Sequence, residues 1–263
     1  MAAKPAVLVT RPEGQAAALC AGLEKRGFQA FSQPMLELVA CEQLTQPQQR
    51  HIAELDLYQH IIFISGNAVQ FGMAWMHKTW PTLPGSPAWY AIGGATARRL
   101  GEYGVQLVSS SAGMSSESLL EHSDLQAVAG QRVLIVKGHG GRVSLQQELG
   151  RRGARVDELA CYRRQCPSLG TGALAQKLSQ WQIGLVLVSS GEGLQNMMTL
   201  LGSEDGARVL NMPLIVPSAR VASQARDLGF LTVDSAENAS DAAVLQAVEN
   251  RWQISNKALE SSE

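Results

Sequence analysis

The sequence predicts an α/β protein made of two similar domains, each with a parallel sheet flanked by helices. Short apolar segments alternate with segments whose apolar residues recur at helical spacing, and small or polar turns separate them. Such alternation over short connections is typical of parallel sheets that helices cover on both faces. The sequence also repeats itself, and two extended segments fit no strand–helix unit. These observations together indicate a duplicated α/β fold.

The repeat has a spacing of about 125 residues. Residues 7–9 align with residues 133–135 at a shift of 126, and residues 61–66 align with residues 186–191 at a shift of 125. Solenoid repeats have periods of about 20–50 residues, whereas this spacing has the size of a domain. We therefore infer that one α/β unit was duplicated.

Each strand prediction rests on a short apolar run or on a glycine that ends the preceding helix. A glycine after a helix is the usual left-handed cap, and the chain then enters the next strand. The apolar runs are residues 6–9, 60–64, 89–92, 132–136, 185–188 and 214–216, and weaker strands follow Gly27, Gly104, Gly153 and Gly229. Amphipathic spacing predicts helices at residues 15–23, 144–149 and 221–228, and another that begins at Ser115 and Ser116 and includes Leu119 and Leu120. About ten strands result, which is enough for two five-stranded parallel sheets of flavodoxin-like type.

The two extended segments, residues 33–42 and 158–167, occupy equivalent places in the repeat. Residues 1–34 supply only two strands, too few to bury the faces of a sheet, so the chain must return later to complete the first domain. The expected segments are 1–34 plus 168–250 for domain one, 41–158 for domain two, 35–40 and 159–167 for two antiparallel linker strands that act as a hinge, and 251–263 for a polar, frayed tail.

The composition excludes several classes of function. Apolar residues make up 45% of the chain, and the net charge of −1 argues against non-specific nucleic-acid binding, which requires a basic field. The longest apolar run, residues 183–188, is far shorter than the roughly 20 residues of a membrane span, and the N-terminus lacks a signal-peptide core. The four cysteines form no CxxC pattern and no cluster with histidine. We expect a cytoplasmic protein that binds no metal, membrane or nucleic acid.

Ligands of open α/β sheets bind beyond the carboxyl ends of the strands, where the next helices begin. Loops at these places offer backbone N–H groups and helix N-termini, which suit anions. The candidate loops are residues 10–14, 65–67, 93–96, 109–116, 137–142, 189–193 and 217–220. Few of their side chains are acidic, which suggests a ligand with several negative groups. Any one of these loops is also an ordinary feature of this fold class.

Catalytic motifs are otherwise absent from the sequence. There is no GxSxG, no HExxH and no plausible Ser/His/Asp set, and residues 137–142 lack the spacing of a phosphate-binding loop. His139 is expected to be a turn residue and not a general base. Arg142 either contributes to an anion site or is a solvated residue in the first turn of a helix. Tyr162, on the second linker segment, is either a proton donor that faces an interdomain cleft or an ordinary strand aromatic. An enzyme with so few reactive groups would act mainly by holding its substrate.

Four segments together resemble bacterial uroporphyrinogen-III synthases. They are residues 7–14 (VLVTRPEG), 137–142 (KGHGGR), 153–164 (GARVDELACYRR) and 189–196 (SSGEGLQN). Each motif is loose by itself, but their order and spacing are specific, and the resemblance extends from about residue 5 to residue 248. It implies two α/β domains joined by a two-stranded linker, with a discontinuous first domain.

The resemblance implies a cyclising lyase that closes the linear tetrapyrrole hydroxymethylbilane with inversion of its fourth pyrrole ring and loss of water. The hydroxyl leaves, an azafulvene forms, and ring closure passes through a spirocyclic intermediate. The eight carboxylates of this substrate suit an interdomain cleft rimmed by helix N-termini. The family uses no metal or organic cofactor. Because unassisted closure yields the uninverted isomer, the enzyme must restrain the shape of its substrate.

The resemblance also implies roles for particular residues. Tyr162, the expected catalytic residue, matches a tyrosine that assists departure of the hydroxyl. Lys137 stands where many members have arginine. Lysine keeps the positive charge but lacks the guanidinium group, which can make two parallel hydrogen bonds to one carboxylate. Thr96 matches a threonine of the cleft, and its duplicate is Val221, so the hydroxyl of the other domain must come from Ser218. The expected substrate-binding residues are Arg11, Ser65, Gly66, Asn67, Thr96, Ser115, Lys137, Gly140, Gly141, Arg142, Ser189, Ser190, Gly191 and Ser218.

Two other functions stay open. A non-catalytic two-domain binding module for a polyanionic small molecule would share every loop but give Tyr162 no role, and a flavodoxin-like flavin protein would be coloured. As a synthase, the protein is expected to be a monomer. Its expected partners are the linear tetrapyrrole substrate and, transiently, the enzyme of the preceding pathway step.

Overall fold

Helices flank parallel sheets in this protein, which confirms the predicted α/β class. The computed structural model describes residues 4–109, 116–141 and 143–260. Its strands are β1 (Ala6–Val9), β2 (Ala30–Ser32), β3 (Glu37–Ala40), β4 (His60–Phe63), β5 (Ala88–Ala91), β6 (Leu107–Ser109), β7 (Arg132–Gly138), β8 (Arg155–Gln165), β9 (Ile183–Leu187), β10 (Leu214–Val216) and β11 (Val233–Ser235). Its helices are α1 (Ala17–Glu24), α2 (Gln46–Ala53), α3 (Gly66–Thr79), α4 (Gly94–Gly101), α5 (Ser116–Leu120), α6 (Ser144–Arg151), α7 (Ala173–Gln180), α8 (Gly191–Val209), α9 (Ala219–Asp227) and α10 (Asp241–Glu260).

The chain divides into two units. Unit 1 comprises Met1–Leu38 and Gln165–Glu263, and unit 2 comprises Val39–Arg164. The sheet of unit 1 has the strand order β11-β10-β9-β1-β2, and its neighbouring strands are parallel. The other sheet has the order β3-β8-β7-β4-β5-β6, and its strands from β8 to β6 are parallel.

The two sheets share one strand order, and the repeat in the sequence explains why. At a shift of about 125 residues, β7 corresponds to β1, β8 to β2, β4 to β9, β5 to β10 and β6 to β11. Replacing each strand by its counterpart turns β8-β7-β4-β5-β6 into β2-β1-β9-β10-β11. Each sheet therefore brings the carboxyl ends of its parallel strands, and the loops that follow them, to one edge.

Helices cover both faces of the sheet in unit 1. Successive residues of a strand point to opposite faces, so Leu8 packs in a cluster with residues of α7, α8 and α9, while Val7 and Val9 pack with residues of α1 and α10. All three side chains are fully buried. In unit 2, Ile62 and Tyr90 belong to a similar buried cluster that includes residues of α5 and α6. This double burial explains why the central strands read as continuous apolar runs.

The second sheet has six strands where five were predicted, because β3 lies beside β8 at its edge. The Gln165 side chain donates to Glu37 (3.0 Å), and the Cys41 N–H donates to the Cys161 carbonyl (3.1 Å). Residue numbers rise along β3 while they fall along β8, as in an antiparallel pair. β8 is one strand of 11 residues and includes both the predicted post-glycine strand and the predicted linker segment, because no glycine or proline interrupts it.

The C-terminal segment is helical where a frayed tail was predicted. Residues 251–260 continue α10. The Trp252 ring meets Phe28 edge-on with centroids 6.4 Å apart, and Arg251 forms two hydrogen bonds with the carboxylate of Asp234, one of them 2.6 Å long. These contacts hold the middle of α10 against other elements of unit 1. No helix within the described ranges, including this one of 20 residues, is apolar enough to cross a membrane.

Candidate functional site

The predicted loops follow the carboxyl ends of strands in both units. In unit 1 they join β1 to α1, β9 to α8 and β10 to α9, and in unit 2 they join β4 to α3, β5 to α4 and β7 to α6. Each unit thus presents an edge of helix N-termini and backbone N–H groups, which favour anions. Most of the loop after β6 lies outside the described residues, and so do two predicted site residues, Ser115 and Arg142.

An irregularity in the pairing of β7 with β8 places Tyr162. Lys137 pairs with Ala160, whereas the next residue, Gly138, pairs with Tyr162, so Cys161 is an extra residue on β8. An extra residue of this kind bends a strand and redirects the side chains beside it. Only 5% of Tyr162 is exposed. The bulge therefore determines where the predicted catalytic side chain points.

The Tyr162 ring packs against Phe71 and Gly138. It stacks on the Phe71 ring with centroids 5.1 Å apart and 24° between the planes. A Cβ at Gly138 would lie 2.6 Å from Cζ of Tyr162, closer than real Cβ atoms approach other heavy atoms. A glycine at position 138 is therefore required for the ring to occupy this place.

The Tyr162 hydroxyl lies beside the first turn of α3. Its oxygen is 3.4 Å from Oγ of Ser65, which also accepts a hydrogen bond of 3.1 Å from the Ala68 N–H and so caps the helix. Gly66 and Asn67 form the first turn after this cap. The structure thus brings three predicted site residues, Ser65, Gly66 and Asn67, to the segment that the phenol approaches. The Ser65 O–H can donate to the phenol or accept from it.

A cavity of about 350 Å³ lies next to Tyr162 within unit 2. It is lined by Ile64, Ile135, Lys137, Gly138, Gly140, Gly141, Ser144, Leu145, Gln146, Glu158, Tyr162 and Arg164. Four residues that the sequence predicted for the site therefore meet at one cavity: Lys137, Gly140, Gly141 and Tyr162. Gly140 and Gly141 have φ angles of +70° and +87°, a conformation that glycine adopts without strain.

Lys137 is the buried cation of this cavity. It is 4% exposed, and its Nζ donates to Oε1 of Glu158 at 2.8 Å. Glu158 was not among the predicted site residues, and only the strand register of the structure shows its place. Ile135 pairs with Glu158 and Lys137 pairs with Ala160, so Lys137 and Glu158 share a face of the sheet on adjacent strands.

Thr96 lies in the first turn of α4, which follows Gly93 with its φ of +86°. The threonine is 3% exposed. Its hydroxyl makes no hydrogen bond within the ranges that the structure describes. The structure places it in unit 2 but not on the lining of the cavity beside Tyr162. A hydroxyl at a helix start that makes no internal hydrogen bond is suited to bind a ligand oxygen.

Arg11 in unit 1 has internal partners. Its guanidinium hydrogen-bonds the carboxylate of Asp241, at the start of α10, and donates to the Ala239 carbonyl at 3.0 Å. The Arg11 side chain is 16% exposed. At the shift of 126 residues Arg11 is the counterpart of Lys137. Both units thus carry a cation at or just beyond the carboxyl end of the equivalent strand, and in both the cation is paired with a carboxylate.

The remaining predicted residues of unit 1 lie at the starts of α8 and α9. Ser190 caps α8 by accepting a hydrogen bond of 3.0 Å from the Gly193 N–H, as its counterpart in unit 2 caps α3. Ser189 precedes it, and Gly191 begins the helix. Ser218 occupies the cap position of α9, but its side chain makes no capping hydrogen bond. Its hydroxyl is therefore not committed to the helix.

His139 has a partner that the sequence did not indicate. Its Nε2 lies 3.3 Å from Sγ of Cys41. Burial raises the pKa of the Cys41 thiol, an effect that the charge of Arg163 partly offsets. Burial also raises the pKa of Cys161 to about 12. Both thiols are protonated at neutral pH, so neither is an activated nucleophile.

The groups around the Tyr162 cavity offer hydrogen-bond donors, a cation and a phenol. Within the described ranges, no three His, Cys, Asp or Glu side chains are grouped so that they could hold a metal ion. Unit 2 combines the Tyr162 hydroxyl, the buried Lys137 ammonium and a helix N-terminus. This arrangement can bind a carboxylate and donate a proton to a leaving oxygen.

Sequence comparison with known proteins points to one family. The profile described as uroporphyrinogen-III synthase HemD matches residues 17–246. The uroporphyrinogen-III synthase of Escherichia coli K12 is 34% identical over 253 residues, an alignment that covers 92% of this chain and 99% of the relative. The synthase of Synechococcus elongatus is 30% identical over 249 residues, covering 91% of this chain and 92% of the relative.

Solved structures agree on the fold. A mutant uroporphyrinogen III synthase from Thermus thermophilus superposes with a TM-score of 0.56 at 18% identity, covering 94% of this chain and 99% of the other. The uroporphyrinogen-III synthetase from Helicobacter pylori gives a TM-score of 0.58 at 12% identity, with 92% and 97% covered. Because the profile spans residues 17–246 and the Escherichia coli relative is matched over nearly its whole length, this chain belongs to the uroporphyrinogen-III synthase family.

Proposed function

We propose that this protein is a uroporphyrinogen-III synthase, a cyclising lyase that converts hydroxymethylbilane into uroporphyrinogen III and water. The observation that carries the proposal is the Tyr162 hydroxyl, 3.4 Å from Oγ of Ser65, beside a cavity that contains the buried ammonium of Lys137. A proton donor next to a carboxylate-binding cation is what loss of water from a polyacidic substrate requires. Membership of the family identifies hydroxymethylbilane as the substrate that this site would bind.

In the proposed mechanism, Tyr162 protonates the hydroxyl of the substrate's hydroxymethyl group. The C–O bond breaks, water leaves, and the terminal pyrrole becomes an azafulvenium cation. The substituted carbon of the fourth ring attacks this cation and forms the spirocyclic intermediate, and fragmentation and reclosure then invert that ring. The hydrogen lost from the ring carbon at the end returns a proton to the phenolate, so the enzyme is regenerated.

The loops of both units supply the proposed contacts for the eight carboxylates. We assign these contacts to the helix starts at Ser65, Thr96, Ser190 and Ser218, and to the cation Lys137. Fixing the arms restrains the linear substrate and so favours the inverted isomer over the one that forms unassisted. Backbone N–H groups at the starts of α3, α4, α8 and α9 support this assignment.

The finer organisation is also proposed from the family. Domain one corresponds to residues 1–34 plus 168–250 and domain two to residues 41–158, each a flavodoxin-like parallel sheet. Residues 35–40 and 159–167 act as the two linker strands. The resemblance further supports a monomer that works in the cytoplasm without a metal or organic cofactor and takes its substrate from the enzyme of the preceding step.

The proposal is tested by coupling the purified protein to a source of hydroxymethylbilane and separating the uroporphyrin isomers by chromatography. The type III isomer is expected, and only type I product would refute the function. Tyr162→Phe keeps the ring that stacks on Phe71 and removes the hydroxyl. We expect turnover to fall by about 10²-fold, the usual contribution of a proton donor, with substrate binding retained. Tyr103→Phe, which removes a hydroxyl from a tyrosine 38% exposed in the same unit, is the matched control.

A further inference from the structure

The buried ammonium of Lys137 has more hydrogen-bonding capacity than the protein uses. An ammonium carries three N–H donors, and among the described residues only the carboxylate of Glu158 accepts from it. The lysine is 4% exposed. A buried cation with unused donors favours the arrival of a second acceptor. The neighbouring cavity is open to such an acceptor, because Lys137 and Glu158 both line it.

The size and lining of the cavity suit one carboxylate arm. Among the described residues its lining contains Lys137, which donates to Glu158, and Arg164, which has a partner of its own. The volume of about 350 Å³ lies in the range of small-molecule sites, about 300–1,000 Å³. Gly140 and Gly141 add no side chains to the lining, so an acidic arm can approach their backbone.

We propose that this cavity receives one carboxylate arm of the substrate, and that Glu158 sets how tightly the arm is held by competing with it for Lys137. The inference rests on the proposed function. The Glu158 side chain is 31% exposed, whereas that of Lys137 is 5% exposed. The carboxylate is therefore the partner that can turn away into water when an arm arrives, and the ammonium is the partner that stays in place.

The chemistry of the reaction explains why competition between Glu158 and the substrate arm for Lys137 would be useful. The carboxylate arms are the same in the linear substrate and in the cyclic product, so any contact with them stabilises both equally. Uniform binding of this kind does not speed the chemical step, and it slows product release. Because the Glu158 carboxylate competes for the Lys137 ammonium, it weakens binding of the substrate arm. It also holds the ammonium in position. Glu158 is thus an affinity-determining residue and not a catalytic one.

The duplicated position in unit 1 supports the same inference independently. Arg11, the counterpart of Lys137, is also paired with a carboxylate, that of Asp241. This carboxylate comes from the start of α10, whereas the residue equivalent to Glu158 at the shift of 126 is Ser32. Two unrelated acids thus neutralise equivalent cations. The shared feature is the paired cation itself and not an inherited partner.

Glu158→Gln tests the proposal, because the amide still accepts a hydrogen bond from Lys137 but no longer carries charge. Inhibition by uroporphyrinogen III, handled anaerobically under reducing conditions, is measured for the wild type and the variant together with KM and kcat. Glu54→Gln is the matched control. Glu54 pairs with Arg132 at 2.9 Å in the same unit, its side chain is 36% exposed, and it lies outside the cavity lining.

We expect the inhibition constant for the product to fall about tenfold in Glu158→Gln, which is the scale of a charge-assisted hydrogen bond. KM should fall with it, kcat should not rise, and Glu54→Gln should match the wild type. A lower kcat and melting temperature with an unchanged or larger inhibition constant would mean a merely structural role and would overturn the proposal.

A second variant keeps the test decisive if Glu158→Gln does not yield folded protein. Glu158→Asp keeps the charge but shortens the side chain, which draws the carboxylate away from Lys137. Its inhibition constant should fall severalfold, and an equal or larger value would overturn the proposal. Wild-type protein that makes the type III isomer while both variants keep wild-type affinity refutes this inference alone. Wild-type protein that makes only the type I isomer refutes the proposed function as well.

Discussion

Gly138→Ala places a methyl group where the Tyr162 ring now lies. The new Cβ would be 2.6 Å from Cζ, 2.8 Å from Cε2 and 3.1 Å from Cε1 of that ring. Restoring an ordinary contact of 3.4 Å requires the ring to retreat by 0.8 Å, the difference between 3.4 and 2.6 Å. The ring already stacks on Phe71 with centroids 5.1 Å apart, which limits where it can go.

Two losses follow from this displacement. Overpacking of a buried site costs about 1–3 kcal/mol of unfolding free energy, which corresponds to a melting temperature lower by about 2–4 °C for each kcal/mol. A misplacement of about 1 Å in a catalytic group costs up to about 10²-fold in rate. Turnover of Gly138→Ala should therefore approach that of Tyr162→Phe, and the double variant should be no worse than Tyr162→Phe alone because both changes act through one side chain.

The assay is the type III isomer yield per unit time, with thermal unfolding followed by circular dichroism on the same samples. Gly150→Ala is the control: Gly150 lies within α6, and a Cβ there would meet nothing within 4 Å. It should gain about 0.5–1 kcal/mol of stability and keep wild-type turnover. If Gly138→Ala has wild-type turnover and melting temperature, the ring position is not constrained by position 138 and the reasoning fails.

Two further predictions concern stability. Hydrogen bonds from Arg151 and Arg152 lower the pKa of Glu148 to about 2, so its carboxylate stabilises the fold above its ordinary pKa of 4.5 and loses this effect as the pH falls through about 2. The melting temperature of Glu148→Gln should therefore be lower than that of the wild type at pH 7, and this difference should disappear between pH 4.5 and pH 2. A difference in melting temperature that is constant with pH would contradict this. Trp252→Ala removes the edge contact with Phe28 and should lower the unfolding free energy by about 1–3 kcal/mol in urea titrations, whereas an unchanged midpoint would mean that the end of α10 contributes nothing.

The bounds of strongly apolar strands could be predicted from the sequence, whereas the bounds of a weakly apolar strand such as β2 were predicted less well. β1 and β10 match their predicted runs because a strand buried on both faces is an uninterrupted apolar run. β2 begins at Ala30, later than predicted after Gly27. The Phe28 N–H donates to the Leu23 carbonyl at 3.1 Å, so Phe28 closes the end of α1 and is not part of a strand.

The side-chain contacts of the candidate site were largely beyond sequence reasoning. The loops themselves could be predicted, because turns at strand ends have a local signature in small and polar residues. The ion pairs could not, since Lys137 and Glu158 are 21 positions apart and Arg11 and Asp241 are 230 apart. Nothing in the sequence shows that the cations at these strand ends have internal partners, yet Lys137 pairs with Glu158 and Arg11 pairs with Asp241.

The sequence by itself determined the α/β class, the duplication and the family, because periodic burial and repeated motifs are local or linear properties of the chain. Only the tertiary structure decided how the Tyr162 ring is oriented, since one extra residue at Cys161 changes the register of β8 against β7. It also decided that Gly138 must lack a side chain and that Glu158 meets Lys137. Such features depend on the register between strands and on close approaches across the fold, which no local pattern of residues encodes.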